Sequence, residues 1–235
     1  MTALKVATPS ALFNWPAQCK VARPVSKTKI YAHAKPSAAL RALFVQQIDS
    51  ITWGYKLAPA STNLPATPSV PEIEVFDIAL RQPELNPALL RCIDKAIPFP
   101  ILFVLHFAGR SQAIAAHKRP KDAANGAAPN SWAQWVVGDY HAAPWQKDDA
   151  PKPSLPVALD LQGLYEQLLR QHLPSQARPG EPLRDQLDRL ALLAAAQAAA
   201  AKLQARLAQE VQFNHKVELN AQLRSLRSEV EALAV

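Results

Sequence analysis

The fold is decided by the stretch EIEVFDIALRQPELNPALLRCIDKAIPFPILFVLHF, residues 72–107. Residues 72–80 are largely apolar on both faces of an extended segment, which is typical of a strand in a sheet that is covered on both sides. Asn86 and Pro87 then supply an N-cap and a first helical residue for an amphipathic helix. Residues 101–107 are a nearly continuous apolar run, which indicates a central strand. A strand, a helix and a strand in this order predict a right-handed parallel crossover.

Further elements extend this unit in both directions. Upstream, residues 37–50 have helical periodicity and residues 51–57 alternate apolar and polar side chains with the period of a strand. Downstream, residues 112–117 form a hairpin partner and residues 132–140 another strand. The sequence therefore predicts an α/β fold in which a mixed sheet of about five strands has flanking helices.

The C-terminal stretch 183–235 contains no proline and no glycine, although the chain has 21 prolines. It predicts one long, coiled-coil-like helix, about 80 Å in length if it is continuous. Only residues 223–233 have the spacing of a coiled-coil seam, whereas the apolar positions before them step by fours. A coiled coil with a second copy, an intramolecular hairpin and packing across the sheet domain all stay open.

Prolines and charge divide the chain into four segments. Proline stiffens a connection, so residues 1–35, a basic proline-containing arm, are expected to be extended rather than helical. The remaining segments are the mixed α/β domain at residues 36–147, a linker with a short helix at residues 148–182, capped by Asp160, and the long helix at residues 183–235.

Positive charge is concentrated at the start of the chain. Residues 1–57 contain eight basic side chains against the single acid Asp49, so the whole formal charge of +7 lies in this first quarter. Such an asymmetry indicates a polyanionic partner such as DNA, although a basic surface without any such partner is the simpler alternative. The candidate nucleic-acid contacts are Lys20, Arg23, Lys27, Lys29, Trp53, Tyr55 and Lys56.

The aromatic members of this set lie on the predicted strand 51–57. Strict alternation places Trp53 and Tyr55 on one face together with Ile51. There they could stack on a base while Lys56 contacts a phosphate. Alternating aromatics on a strand more often belong to a hydrophobic core, so both interpretations stay open.

The two cysteines, Cys19 and Cys92, are far apart in the sequence and have no CxxC spacing. Neither a disulfide framework nor a zinc ribbon is indicated, and a reduced, cytoplasmic location is expected. The longest apolar runs are too short to span a bilayer, so no membrane association is expected.

No catalytic or cofactor motif is recognisable, so neither a metal site nor a cofactor is predicted. The enzyme alternative is a divergent metal-dependent nuclease, which needs convergent carboxylates to hold magnesium and orient water. Glu72 and Glu74 share one strand face, whereas Asp77 points away from them. A lysine would have to come from another element, as Lys95 or Lys118 could. Solvated acids at the end of a strand are the simpler interpretation.

A polar-aromatic patch lies within the predicted long helix. A large aromatic side chain among polar neighbours is often an anchor in a partner's pocket, which favours partner binding over a solvated helix face. The residues expected to contact a partner protein or a second copy are Gln212, Phe213, Asn214, Lys216, Glu218 and Asn220.

Several phrases of the chain, in order, resemble a known bacterial family, domain of unknown function 4391. They are LF at 12–13, KIY at 29–31, ITWGYKL at 51–57, TNL at 62–64, EIEVF at 72–76, IDKAIPFPILF at 93–103, QFN at 212–214 and KVE at 216–218, with Asn220. The resemblance implies an accessory protein encoded beside DNA methyltransferases and superfamily 2 helicases, in restriction-like or anti-phage defence loci. It implies no catalytic residues.

Together these observations predict a non-enzymatic accessory or binding subunit of a bacterial DNA-modification, restriction-like or anti-phage defence system. Its expected partners are DNA, a helicase or DNA methyltransferase of the same locus, and a second copy of the chain through the C-terminal helix. The alternatives are the metal-dependent nuclease and a purely structural coiled-coil scaffold.

Overall fold

Two units, Met1–Leu173 and Pro174–Val235, make up the chain in a computed structural model that describes residues 12–121 and 135–234. In the described part of the first unit, a mixed sheet has the strand order β1-β2-β3-β4-β5-β6, and β7 also pairs with β5. The strands are β1 (Lys20–Pro24), β2 (Ile48–Leu57), β3 (Ile73–Leu80), β4 (Ile101–Phe107), β5 (Arg110–Pro120), β6 (Trp135–Ala142) and β7 (Gln146–Lys147).

Pairing among these seven strands is antiparallel except between β3 and β4, which are parallel. The predicted parallel crossover is thereby confirmed, and so is the mixed α/β class. The described residues contain seven strands rather than about five. The two additional strands have weak sequence patterns, because β1 is a mostly exposed edge strand of five residues and β7 has only two. The first three residues of the predicted strand 132–140 lie outside the described residues.

Local capping explains where the helices of the first unit begin. The side chains of Ser37, Asn86 and Asp160 accept hydrogen bonds from the backbone N–H groups of the following first turns, so the predicted N-caps Asn86 and Asp160 are confirmed. The helices of this unit are α1 (Lys27–Ala34), α2 (Ala38–Gln47), α3 (Pro59–Thr62), α4 (Pro87–Ala96) and α5 (Leu161–Arg170).

The basic arm is not extended throughout, contrary to the prediction. Its residues 27–34 form α1, whose N-cap is Ser26 and whose Ile30 is 2% exposed. The arm has no proline between Pro24 and Pro36, so a helix can form there. Packing of Ile30 into the core stabilises this helix, although the local sequence alone does not favour it. Helices α1, α2 and α4 pack on one face of the sheet, around a core that includes Phe44, Ile78 and Phe103.

A β-bulge at Gly54 corrects the predicted arrangement of two aromatic residues. Trp53 pairs with Phe76 and Tyr55 pairs with Val75, so one residue of β2 has no partner on β3. Neighbouring residues of β3 point to opposite faces, and Trp53 and Tyr55 therefore do the same. A Cβ at position 54 would lie 2.2 Å from Oδ2 of Asp77. Any residue other than glycine would therefore force the Asp77 carboxylate to move.

The described part of the second unit is an antiparallel helical hairpin of α6 (Leu183–Gln209) and α7 (Phe213–Ala234). A long C-terminal helix is confirmed, since α6 has 27 residues, but the stretch 183–235 is not one helix. Glu210 is extended, and its Oε1 accepts from the backbone N–H groups of Val211 (2.8 Å) and Gln212 (2.9 Å). Leu203 packs against Leu219 and Leu223 across the hairpin. Of the three arrangements left open, the structure shows the intramolecular hairpin.

Among the described residues, no helix combines the length and the apolar character that crossing a membrane requires.

Candidate binding site

A cavity of about 270 Å³ lies in the first unit, where α1 and the C-terminal end of α4 cover one face of the sheet. Most of its surface is apolar. The apolar side chains come from five elements or connections: Val25, Ile30, Phe76, Ala96, Ile97 and Phe99. Lys29 and His33 of α1, Trp53 of β2, and the two acids Glu72 and Glu74 complete the lining. Cavities of this size accept one small group rather than a large cofactor.

The two acids of the cavity are engaged with each other and with β2. Glu74 is 3% exposed and accepts a hydrogen bond from Nε1 of Trp53, while the Nζ of Lys56 forms an ion pair with Glu72. Burial, followed by the hydrogen bond to Glu72, raises the pKa of Glu74 to about 8. At neutral pH Glu74 is therefore a neutral carboxylic acid that is hydrogen-bonded to Glu72.

This protonation gives the stability of the first unit a pH dependence. A group whose pKa is raised by folding stabilises the folded state at low pH, and the stabilisation is lost as the pH rises through the folded pKa. We expect the free energy of unfolding to fall by about 1–2 kcal/mol between about pH 6.5 and about pH 8. Glu74→Gln has no proton to release and should remove this fall, which chemical denaturation at fixed pH values measures.

The window begins near pH 6.5 because a second group acts below it. Burial lowers the pKa of His172 to about 4, so His172 destabilises the folded state as the pH falls below 6.5. Glu84→Gln, which changes an exposed acid, is the matched control and should keep the fall between pH 6.5 and pH 8. Equal falls in the wild type and in Glu74→Gln would show that Glu74 is ionised at neutral pH.

The structure brings together Glu72 and Glu74, the two acids that a nuclease would use. It places the other candidate groups, an acid and two lysines, elsewhere. Asp77 lies on the opposite side of β3 from Glu74, and Lys118 forms a buried ion pair with Asp94 on α4 (3.2 Å). Lys95 is exposed. The described residues contain no group of three or more histidine, cysteine or acidic residues placed to hold a metal ion. Since Glu72 contacts Lys56 and Glu74 contacts Trp53, a magnesium ion would have to displace both contacts.

A row of polar side chains that sequence patterns did not indicate crosses three strands. Nε2 of His106 lies 2.9 Å from Oδ1 of Asp77, and Nδ1 of His106 lies 2.8 Å from Oγ of Ser111. Ser111 is 1% exposed, and its hydroxyl donates to Asp148. A catalytic triad needs the serine hydroxyl to donate to the histidine, whereas here it donates to a carboxylate. The row is therefore a structural connection between β3, β4, β5 and the chain after β7.

The predicted nucleic-acid contacts fall into two groups. Four are engaged within the fold: Lys27 donates to the carbonyl oxygen of Ile48 (2.6 Å), Lys56 pairs with Glu72, Trp53 donates to Glu74, and Tyr55 packs against Trp15 (5.8 Å between ring centroids). The other three are exposed on the edge strand β1 and on α1. They are Lys20, Arg23 and Lys29.

The predicted partner patch lies where the hairpin turns. Phe213, the first residue of α7, is 78% exposed, and the preceding Val211 is 87% exposed. Within residues 212–220, all of which the structure describes, Leu219 alone is buried. The Asn220 amide donates to the carbonyl oxygen of Lys216 (2.9 Å), so this side chain is held on the helix surface. The partner-binding role of the patch stays a prediction.

Comparisons with known proteins agree with the family resemblance. A family profile described as domain of unknown function (DUF4391) matches residues 13–230, which is nearly the whole chain. Curated proteins and solved structures gave no match. The match includes both the sheet with its cavity and the helical hairpin. The chain therefore belongs to the family of domain of unknown function 4391.

Proposed function

We propose that this chain is a non-enzymatic subunit that binds nucleic acid within a bacterial DNA-modification, restriction-like or anti-phage defence system. The observation that carries the proposal is the placement of Lys20, Arg23 and Lys29. All three are exposed, and β1 and α1 hold them near one edge of the sheet. A phosphate backbone is the polyanion that such a group of exposed cations fits, because each neutralised phosphate releases counterions.

The fold also keeps these cations available. Their neighbours Lys27 and Lys56 are held by Ile48 and Glu72 inside the unit. The free cations, by contrast, extend from an edge strand and from a helix of eight residues. A basic edge of this kind also discourages another strand from pairing with β1, so the same charges serve solubility.

We infer that a protein partner, such as the helicase or DNA methyltransferase of the same locus, contacts the turn of the hairpin. Val211 and Phe213 are large apolar side chains that project from the turn into solvent. Exposed aromatic residues are frequent anchors of protein interfaces. A second copy of the chain is the alternative occupant. Cytoplasmic location is part of the proposal, and it fits the two buried, free thiols of Cys19 and Cys92.

The proposal predicts loss of DNA binding when the three cations are neutralised together. The triple variant Lys20→Gln, Arg23→Gln and Lys29→Gln should bind a short DNA at least about tenfold more weakly in low salt, because it loses three phosphate contacts. Fluorescence anisotropy with a labelled oligonucleotide measures the affinity.

A control variant that loses the same number of positive charges elsewhere separates the effect of these three positions from the effect of net charge. Arg184→Gln, Lys202→Gln and Arg224→Gln neutralise three exposed cations of the second unit and should leave the affinity within about twofold of the wild type. If both triple variants lose affinity equally, the basic edge is not the binding surface.

The nuclease alternative gives a different result in a simple assay. We expect plasmid DNA with magnesium to remain intact in the presence of the wild-type protein. Cleavage by the wild type that is lost in the double variant Glu72→Ala and Glu74→Ala would replace the binding proposal with metal-dependent hydrolysis at these acids.

A further inference from the structure

If the protein contacted only the phosphates of a nucleic acid, the cavity that Lys29 lines would have no role in binding. We propose that it receives one unstacked nucleobase of a bound single strand, with the phosphates beside that base held by Lys29 of α1 and Arg23 of β1. This inference rests on the proposed function, and it names the part of the nucleic acid that the cavity recognises.

The volume and the lining of the cavity fit one aromatic ring system. Phe76, Phe99 and Ile97 contribute apolar surface, and the indole of Trp53 is fixed in place by its hydrogen bond to Glu74. A volume of about 270 Å³ is enough for one base but small for a whole dinucleotide. Base faces stack on aromatic surfaces in proteins that bind single strands.

Charge around the cavity distinguishes a base from an apolar side chain of a protein. Lys29 and His33 belong to the lining itself, and Arg23 pairs across the strands with Trp53. A nucleotide within a strand has a phosphate on each side of its sugar, so a bound base brings two anions close to Lys29 and Arg23. An apolar side chain of a protein brings no charge of its own, so the cations would gain nothing from it.

The acids at the cavity wall supply hydrogen-bond acceptors for the edge of a base. Glu72 and Glu74 both line the cavity, and each carboxyl group has more acceptor positions than its contact with Lys56 or Trp53 uses. Carboxyl oxygens accept from exocyclic amino groups, such as the N4 amino group of cytosine. Oligodeoxycytidylate is therefore a suitable probe.

The test compares a short oligodeoxycytidylate with an oligonucleotide of the same length whose sugars carry no bases. Wild-type protein should bind the base-containing strand about tenfold more tightly, as one stacked base contributes. Ala96→Leu, which fills the cavity from the end of α4, should remove this difference and leave the affinity for the abasic strand unchanged. Ala88→Leu, at an exposed position of the same helix, is the matched control and should keep the difference.

The outcomes distinguish this inference from the function on which it rests. If neither strand binds, the nucleic-acid function itself fails. If both strands bind the wild type equally, phosphate binding stands and the base site is wrong, which leaves the cavity to an apolar side chain of a protein. If Ala96→Leu weakens both strands alike, or retains the preference for the base-containing strand, the cavity is not where the base lies.

Discussion

Replacing Lys118 by methionine is expected to lower the free energy of unfolding by about 3–5 kcal/mol, because the change leaves a buried acid without its cation. Lys118 is 1% exposed. Its ammonium group donates to the carbonyl oxygen of Asp94 (2.8 Å), to Oδ1 of Asp94 (3.2 Å) and to the carbonyl oxygen of Ile97 (2.6 Å). All three ammonium hydrogens are thus used within the protein.

The arrangement around this pair explains why the loss should be large. The other carboxylate oxygen of Asp94 accepts from the hydroxyl of Tyr140. Lys118 also lies over the ring of Trp135, 5.9 Å from its centroid. Burial lowers the pKa of Lys118 and raises that of Asp94, so each charge depends on the other. Removing one partner costs the desolvation of the group that remains.

Urea denaturation of the full chain measures the effect. Lys95→Met is the matched control, because Lys95 follows Asp94 on α4 and is exposed, and it should change stability by less than about 0.5 kcal/mol. Adding Asp94→Leu to Lys118→Met should restore part of the loss, since the unpaired acid is then absent. A single Lys118→Met variant as stable as the Lys95→Met variant would mean that the buried pair contributes nothing.

The second large effect is expected at Arg189, which closes the helical hairpin. Its side chain is 5% exposed. Nε and Nη2 donate to the two carboxylate oxygens of Glu181 (2.7 Å and 2.9 Å), and Nη1 donates to the carbonyl oxygen of Leu233 near the end of α7 (2.8 Å). Bidentate pairs of this kind fix geometry as well as adding stability. The hydrogen bonds to Arg189 lower the pKa of Glu181 to about 2.

We expect Arg189→Met to loosen the open end of the hairpin, with amide exchange in the last turns of α7 at least about tenfold faster. Hydrogen–deuterium exchange with mass spectrometry resolves this region. Arg184→Met is the control on the same helix, because Arg184 and its partner Asp188 are exposed and 4.0 Å apart, and its exchange should match the wild type. Unchanged protection of the α7 end in Arg189→Met would exclude this closing role.

What could be predicted from the sequence was encoded locally. The crossover from β3 through α4 to β4 follows from an Asn-Pro helix start and two apolar runs, and the cap at Asp160 lies next to the helix that it begins. Each of these signals involves residues that are close together in the sequence, and the tertiary packing favours the same helices and strands.

What could not be predicted depends on contacts between distant residues. The bulge at Gly54 lies against the Asp77 carboxylate on the adjacent strand, and it turns Tyr55 to the face opposite Trp53. The break before α7 contains neither proline nor glycine and depends on the Glu210 side chain binding two backbone N–H groups. Lys118 and Asp94 are 24 residues apart, so no local pattern pairs them.

The central claim, that the basic edge of the sheet binds nucleic acid, is tested most directly by the salt dependence of affinity for a short single strand. Three phosphate contacts predict a slope of about −2 in a plot of log affinity against log salt concentration. Neutralising Lys20, Arg23 and Lys29 together should bring the slope close to zero. A wild-type slope near zero, or a slope that the triple variant retains, would contradict the claim.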